Sequence, residues 1–265
     1  MLELFTSLQE MNIYSFPIIC LLLLAGFTVG FINTIAGSGT VISYYLFMFL
    51  GLSAPITNGT IRLGVILQTL VASYNFKKQN VLELKKGFKL ALPTVLGSIL
   101  GAQIAISIDK DFFEILVAGV MLLMGLLLFF KPNRWLVGSQ ILQEKKIGLK
   151  QFIIFFAIGV FGGFIHIGVG IFLIGVLVLE MGYDLIKANA LKVFIVLLYS
   201  PFALIIFIMN DQIHYGIGAI AAIGNIFGAY VASHFAVNWG ANFIRWILLI
   251  IILTFCMQSF NLIHL

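Results

Sequence analysis

Apolar stretches follow one another almost without interruption from Ser15 to Leu262, and this succession limits the fold more than any single motif. A hydrocarbon core about 30 Å thick is crossed by a helix of roughly 20 apolar residues. In the first half the stretches run over 15–35, 40–52, 56–76, 89–108 and 112–130, and in the second over 151–167, 171–181, 185–209, 215–237 and 243–262. Only the connection 131–150 is longer than about a dozen residues, which leaves no room for a soluble domain. With 62% hydrophobic and 9% charged residues, against roughly 25% charged in soluble domains, and a mean hydropathy of +1.14, the chain reads as an all-α polytopic membrane protein. It forms one membrane domain over 1–265, with 8 to 10 transmembrane segments. The first residues carry Glu3 and Glu10 but no Lys or Arg. A secretory signal starts with a positive region, so this terminus is read as retained.

The second and seventh stretches are too short to cross as untilted helices, so they are expected to be re-entrant or half-length. They occupy the same place in a rhythm of about five stretches written twice, in repeats 15–130 and 151–262 joined by a linker at 131–150. LGSILGAQIA at 96–105 and IGNIFGAYVA at 223–232 match almost position for position. Their shared G-x-x-x-G spacing, Gly97/Gly101 and Gly224/Gly228, is the signature of close helix packing in lipid.

The charged loops orient the repeats. Lys77, Lys78, Lys85, Lys86 and Lys89 crowd one connection, and Lys131, Arg134, Lys145, Lys146 and Lys150 crowd another. Both are expected on the cytoplasmic side. The parity of the segments then makes the repeats inverted, with both termini extracytoplasmic. The net charge of +5 is explained by these topology determinants, and nucleic acid is excluded as a partner. Cys20 and Cys256 lie within apolar stretches and read as small hydrophobes rather than a disulfide or a metal pair.

Polar chemistry is concentrated where the short stretches begin. Gly37, Ser38 and Gly39 break the run in the first repeat, and Gly168, Val169 and Gly170 break it in the second. A glycine break can free backbone N–H groups at a helix N-terminus, where donors and dipole together favour an anion; a tight turn requiring glycine is the alternative. Arg62 lies inside the third stretch with Asn58 one turn earlier, and Lys192 lies inside the eighth, three residues after Asn189. An intramembrane cation is costly unless solvated or paired, and no mid-membrane carboxylate stands near either one. An anionic ligand is the favoured reading, with snorkelling to the interface as the alternative. Asn33 and His166 stand a few residues before the two breaks. His166 is either a hydrogen-bonded packing residue or a proton-coupling group. Gln68, Gln103 and Tyr199 read as interhelical polar contacts.

The run GFTVGFINTIAGSGT, the following NGTIR, and GVGIF with ANALK in the second half resemble the sulfite exporter TauE/SafE family, and the similarity covers nearly the whole chain. Thr34 and Thr40 stand where glycine is common in that pattern, and the second motif is about two residues shorter. The resemblance implies a bacterial inner-membrane secondary transporter for sulfite, a short organosulfonate or a related small anion, exporting by alternating access. A passive anion channel and an importer of another small organic anion are the alternatives. The substrate-binding set expected is Arg62, Lys192, Asn58, Asn189, Gly37, Ser38, Gly39, Gly168, Gly170, Asn33 and His166, with His166 as the coupling group. No cofactor or metal is expected. Enzyme chemistry is disfavoured, because neither an HExxH nor a GxSxG pattern nor paired mid-membrane carboxylates occur. The expected partners are the bilayer and a small anion, with proton coupling allowed and the oligomeric state open, a homodimer included.

Overall fold

The computed structural model describes residues 12–106, 139–143 and 147–259, and every element in them is helical. The elements are α1 Phe16–Ile35, α2 Thr40–Phe49, α3 Ala54–Lys78, α4 Leu84–Ala105, the single turn α5 Gln140–Gln143, α6 Leu149–Phe164, α7 Val169–Leu179, α8 Leu185–Met209 and α9 Tyr215–Ser259. The fifth apolar stretch and most of the linker lie outside the described residues.

Four helical runs are long and apolar enough to cross a membrane: α1, α4, α8 and the Tyr215–Gly240 limb of α9. The 8 to 10 segments expected from hydropathy are thus more than length and composition identify among the described residues. One reason is α3, which has 25 residues but buries Thr57, Asn58, Thr60, Arg62, Gln68, Thr69, Ser73 and Asn75. Its polar groups are enclosed by other helices, so it need not satisfy a lipid-facing hydropathy pattern. The ninth and tenth stretches follow one another with no intervening loop. They meet at Gly240, whose φ of 76° and ψ of 171° break the helical path, a conformation that favours glycine.

Elements α2 and α7 hold 10 and 11 residues, or about 15 and 17 Å of helix, which is about half a membrane. Four residues, Ala36 to Gly39, separate α1 from α2, and four, Ile165 to Gly168, separate α6 from α7. Gly37 (φ 80°) and Gly168 (φ 75°) provide the left-handed residue that turns each break. The helix α8 that follows α7 is started by Asp184, whose carboxylate accepts from the N–H groups of Ile186 and Lys187 at 3.0 Å each. Such an N-cap contributes about 1 kcal/mol.

The long helices pack across the two halves of the chain. At Gly26 and Gly30 of α1 an added Cβ would collide with the backbone of Ala221 and Asn225 on α9, while at Gly224 and Gly228 it would collide with Leu23 and Phe27. The same interlock joins α6 to α4: Gly159 and Gly163 face Thr94 and Ser98, and Gly97 and Gly101 face Phe156 and Val160. With no hydrophobic drive between helices in lipid, such backbone proximity is what holds them together. The outer surface is apolar, with Leu24, Leu92, Leu96, Leu100, Ile205, Ile223 and Phe227 all exposed. Within the core, Asn58 and Arg62 of α3 meet the end of α6, Lys192 of α8 meets the end of α1, and the two breaks touch through Gly37 and Gly170.

The visible part of the linker is tied to both halves. Lys86 of α4 donates to the Gln143 carbonyl at 3.0 Å, and the Gln143 amide donates to the Gly182 carbonyl at 2.8 Å, just beyond α7.

Candidate functional site: the two helix breaks

Neither intramembrane cation reaches for the interface. Arg62 is 0% exposed and Lys192 2%, which removes snorkelling as an account of either one. Each instead donates to the last carbonyls of a broken helix from the other half. Arg62 donates through Nη2 to the Gly163 carbonyl at 2.6 Å and through Nη1 to the Gly162 carbonyl at 3.2 Å. Asn58 completes this cap, accepting from Arg62 at 3.3 Å and donating to the Phe164 carbonyl at 2.6 Å. Lys192 donates to the carbonyls of Asn33 and Thr34, the last turn of α1, at 2.8 and 3.0 Å. The final carbonyls of a helix have no intrahelical partner and sit at the negative end of its dipole. A buried cation is therefore stabilised there without a carboxylate, although neutral carbonyls leave its net charge in place.

The two cations differ in what else they touch. The Arg62 guanidinium packs 4.8 Å from the centre of the Phe207 ring, enclosed between α3, α6 and α8. Lys192 borders a small cavity, together with Asn33, Gly37, His166 and Gly170 from the expected set. Arg62, Asn58, Asn189, Ser38, Gly39 and Gly168 are not part of that lining. The spacing of charged residues suggested one shared site for the two cations, whereas the geometry gives Lys192 to the cavity and Arg62 to the end of α6. About 10 Å³ inside is open to water-sized spheres, roughly the space of one water molecule.

The breaks themselves touch at this cavity. The Gly170 N–H donates to the Gly37 carbonyl at 3.2 Å, so this donor at the start of α7 is already engaged within the protein. Gly39 is pressed against α1, where a Cβ would meet the Val29 carbonyl at 2.7 Å and the Asn33 nitrogen at 2.9 Å. Beside these, the hydroxyls of Ser38 and Thr40 and both amide atoms of Asn189 are buried without a hydrogen-bond partner.

The profile of the sulfite exporter TauE/SafE family matches residues 22–258. The chain belongs to this family. It is similar over most of its length to proteins named probable membrane transporter: ORF9 of Sinorhizobium sp, 25% identical with 89% of this chain and 90% of the relative covered; a Haemophilus influenzae protein, 25% identical with 91% and 93% covered; and YfcA of Escherichia coli K12, 24% identical with 84% and 82% covered. No solved structure gives a significant match.

In this TauE/SafE chain the cavity also includes residues that sequence spacing does not single out as ligands. Thr34 and Thr69 line it, as does Gln68, which reads from sequence as an interhelical contact. All are buried. Gln68 and Thr69 follow Arg62 by about two turns on α3. His166 lies beyond the end of α6, in the unwound break, whereas Asn33 lies inside the last turn of α1. The break in the TauE/SafE second half thus frees an imidazole from the helix, and its Nδ1 meets the Tyr199 hydroxyl at 3.0 Å. The lining brings an ammonium, an imidazole, two amides and two hydroxyls around a space of about one water molecule.

Proposed function

We propose that this TauE/SafE protein is a secondary transporter that exports a small sulfur-containing oxyanion, sulfite or a short organosulfonate, across the bacterial inner membrane by alternating access. The observation that carries this reading is the Lys192 ammonium at the cavity. It is buried, its two protein partners are neutral carbonyls, and no carboxylate lines the cavity. An anion entering beside it gains a charge-assisted hydrogen bond at the position where the protein leaves a net positive charge.

Two inverted repeats fit this reading, with sites near the midplane where broken helices from both halves meet. Support comes from the exchanged contacts: α1 against α9 and α6 against α4 interlock through equivalent glycines, and the third helix of each half caps the first helix of the other. A cavity holding about one water favours a gated carrier over a continuously open anion channel. Admission of a sulfur oxyanion requires the lining to separate, which is the motion alternating access supplies.

The test is a panel of sulfite, sulfate, thiosulfate, sulfoacetate, taurine and acetate against purified protein in thermal denaturation, paired with flux in proteoliposomes. A selective anion raises the midpoint by mass action and shows saturable flux without unitary currents. A protein indifferent to every anion in both assays overturns the proposal.

A further inference from the structure

Tyr199 and His166 form a buried pair that the family assignment does not explain. Tyr199 is 0% exposed and His166 3%, and their Oη and Nδ1 atoms are 3.0 Å apart. The phenol has one proton and, among the described residues, its hydrogen bond of good geometry is to His166; the adjacent Ser200 hydroxyl lies near enough to act on the phenol but makes no bond of good geometry. Were Nδ1 to carry the hydrogen, the phenol O–H would be left buried with no acceptor, which costs the desolvation of that group. The phenol therefore donates to Nδ1, and the hydrogen of a neutral imidazole resides on Nε2. With Nδ1 occupied, Nε2 is the ring's remaining polar atom, and His166 lines the cavity beside Lys192.

We propose that Tyr199 is a positioning residue that fixes the tautomer of His166, so that His166 presents an Nε2–H donor to the transported oxyanion next to the Lys192 ammonium. This rests on the anion-transport reading above. It adds the recognition of that substrate: an oxyanion with at least two acceptor oxygens, one for a charged donor and one for a neutral donor, as in sulfite and the sulfonates. Two further features hold the geometry. The loop carrying His166 follows directly from the helix end that Arg62 and Asn58 cap. Gly162 leaves space for the phenol, since a Cβ there would lie 2.8 Å from Tyr199 Oη. The charged groups facing the imidazole are Arg62 from α3 and Lys192 from α8; α1 presents the neutral Asn33 and Thr34.

The experiment uses full-length protein with 15N-labelled histidine in nanodiscs, the His166 signals being assigned by their loss in His166→Gln. The probe is sodium sulfite. Wild type is expected to show a protonated Nε2 and a bare Nδ1, with the Nε2 resonance moving on sulfite addition. Tyr199→Phe should give mixed tautomers and a roughly tenfold loss of sulfite affinity, the size expected for one hydrogen bond to an anion. A glutamine places an N–H donor near the position of Nε2 and an asparagine near that of Nδ1. His166→Gln should therefore retain binding within a few fold, while His166→Asn and His166→Leu lose about tenfold or more. A proton on Nδ1, an Nε2 signal indifferent to bound sulfite, or equal affinities for the Gln and Asn variants each overturn the proposal. If wild type binds none of the anions of the panel, the transport reading itself fails; if an anion binds through Lys192 without moving Nε2, only the assignment to His166 and Tyr199 fails.

Discussion

Gly37 and Gly170 are in direct backbone contact, the Gly170 N–H donating to the Gly37 carbonyl at 3.2 Å. At Gly170 an added Cβ would collide with the Gly37 Cα, and at Gly37 with the Gly170 Cα. Because the obstacle is backbone in both directions, no side-chain rotation relieves it. Gly170→Ala is expected to cost about 1–3 kcal/mol, the usual range for overpacking, seen as a lower unfolding midpoint in detergent. Gly37→Ala should cost more, since its φ of 80° adds strain for a residue with a side chain. Either variant at wild-type stability would show that the breaks separate more readily than this contact implies.

The two cations should give different phenotypes. Removing Arg62 leaves the carbonyls of Gly162 and Gly163 without their donors, at a cost of about 1–3 kcal/mol. Arg62→Gln is accordingly expected to lower the unfolding midpoint with or without substrate. Arg62→Lys should recover only part of the loss, because an ammonium is a point charge and cannot reproduce the planar fork that spans two carbonyls. Lys192→Gln is expected to weaken anion binding roughly tenfold or more, measured as loss of ligand-induced stabilisation. Equal effects of both neutral variants on affinity would place Arg62 at the ligand as well.

Equivalent helix crossings should respond alike. Gly101→Ala and Gly228→Ala each set a Cβ against the backbone of a facing helix, at Val160 and Phe27 respectively. Each is expected to lower stability by about 1–3 kcal/mol, and the double variant by nearly the sum, since distant sites add. Gly148→Ala is the control. Its Cβ would meet only the Gln151 side chain, at 3.6 Å, so its loss should be confined to what alanine costs at the N-cap of α6, about 0.5–1 kcal/mol.

Inverted topology predicts opposite labelling of two exposed turns. In a background lacking Cys20 and Cys256, cysteine at Asn210 should react with an impermeant thiol reagent applied outside whole cells, while cysteine at Lys78 should react only after the membrane is opened. Labelling of both from one side would require the repeats to be parallel.

Much of this architecture can be read from local pattern. Glycine breaks at Gly37 and Gly168, the half-length elements after them and the G-x-x-x-G crossings are all encoded within a few residues, and hydropathy and backbone freedom expose them directly. The role of Arg62 is different. It satisfies carbonyls 100 and 101 residues away, and a carbonyl at a helix end has no side-chain signature, so the sequence reveals an unpaired cation and nothing of its partner. Gln68 and Thr69 were obscured in another way: on a buried helix, polar residues that line a cavity and polar residues that join two helices have the same spacing. The polar content of α3 likewise hides a 25-residue helix from a criterion that assumes lipid on its outer face.

The reciprocal capping of the broken helices also sets an order in time. The end of α1 is made early, yet the lysine that covers the Asn33 carbonyl is made 159 residues later. A chain that enters the bilayer from its N-terminus must therefore hold a bare helix end inside the membrane until α8 is delivered, while Arg62 waits 100 residues for its own carbonyl. Folding within each half is provisional up to that moment. The second half closes the gaps in turn, that of Arg62 when α6 is delivered and that of α1 when α8 follows, so a chain truncated before Lys192 retains an open helix end that quality control can recognise.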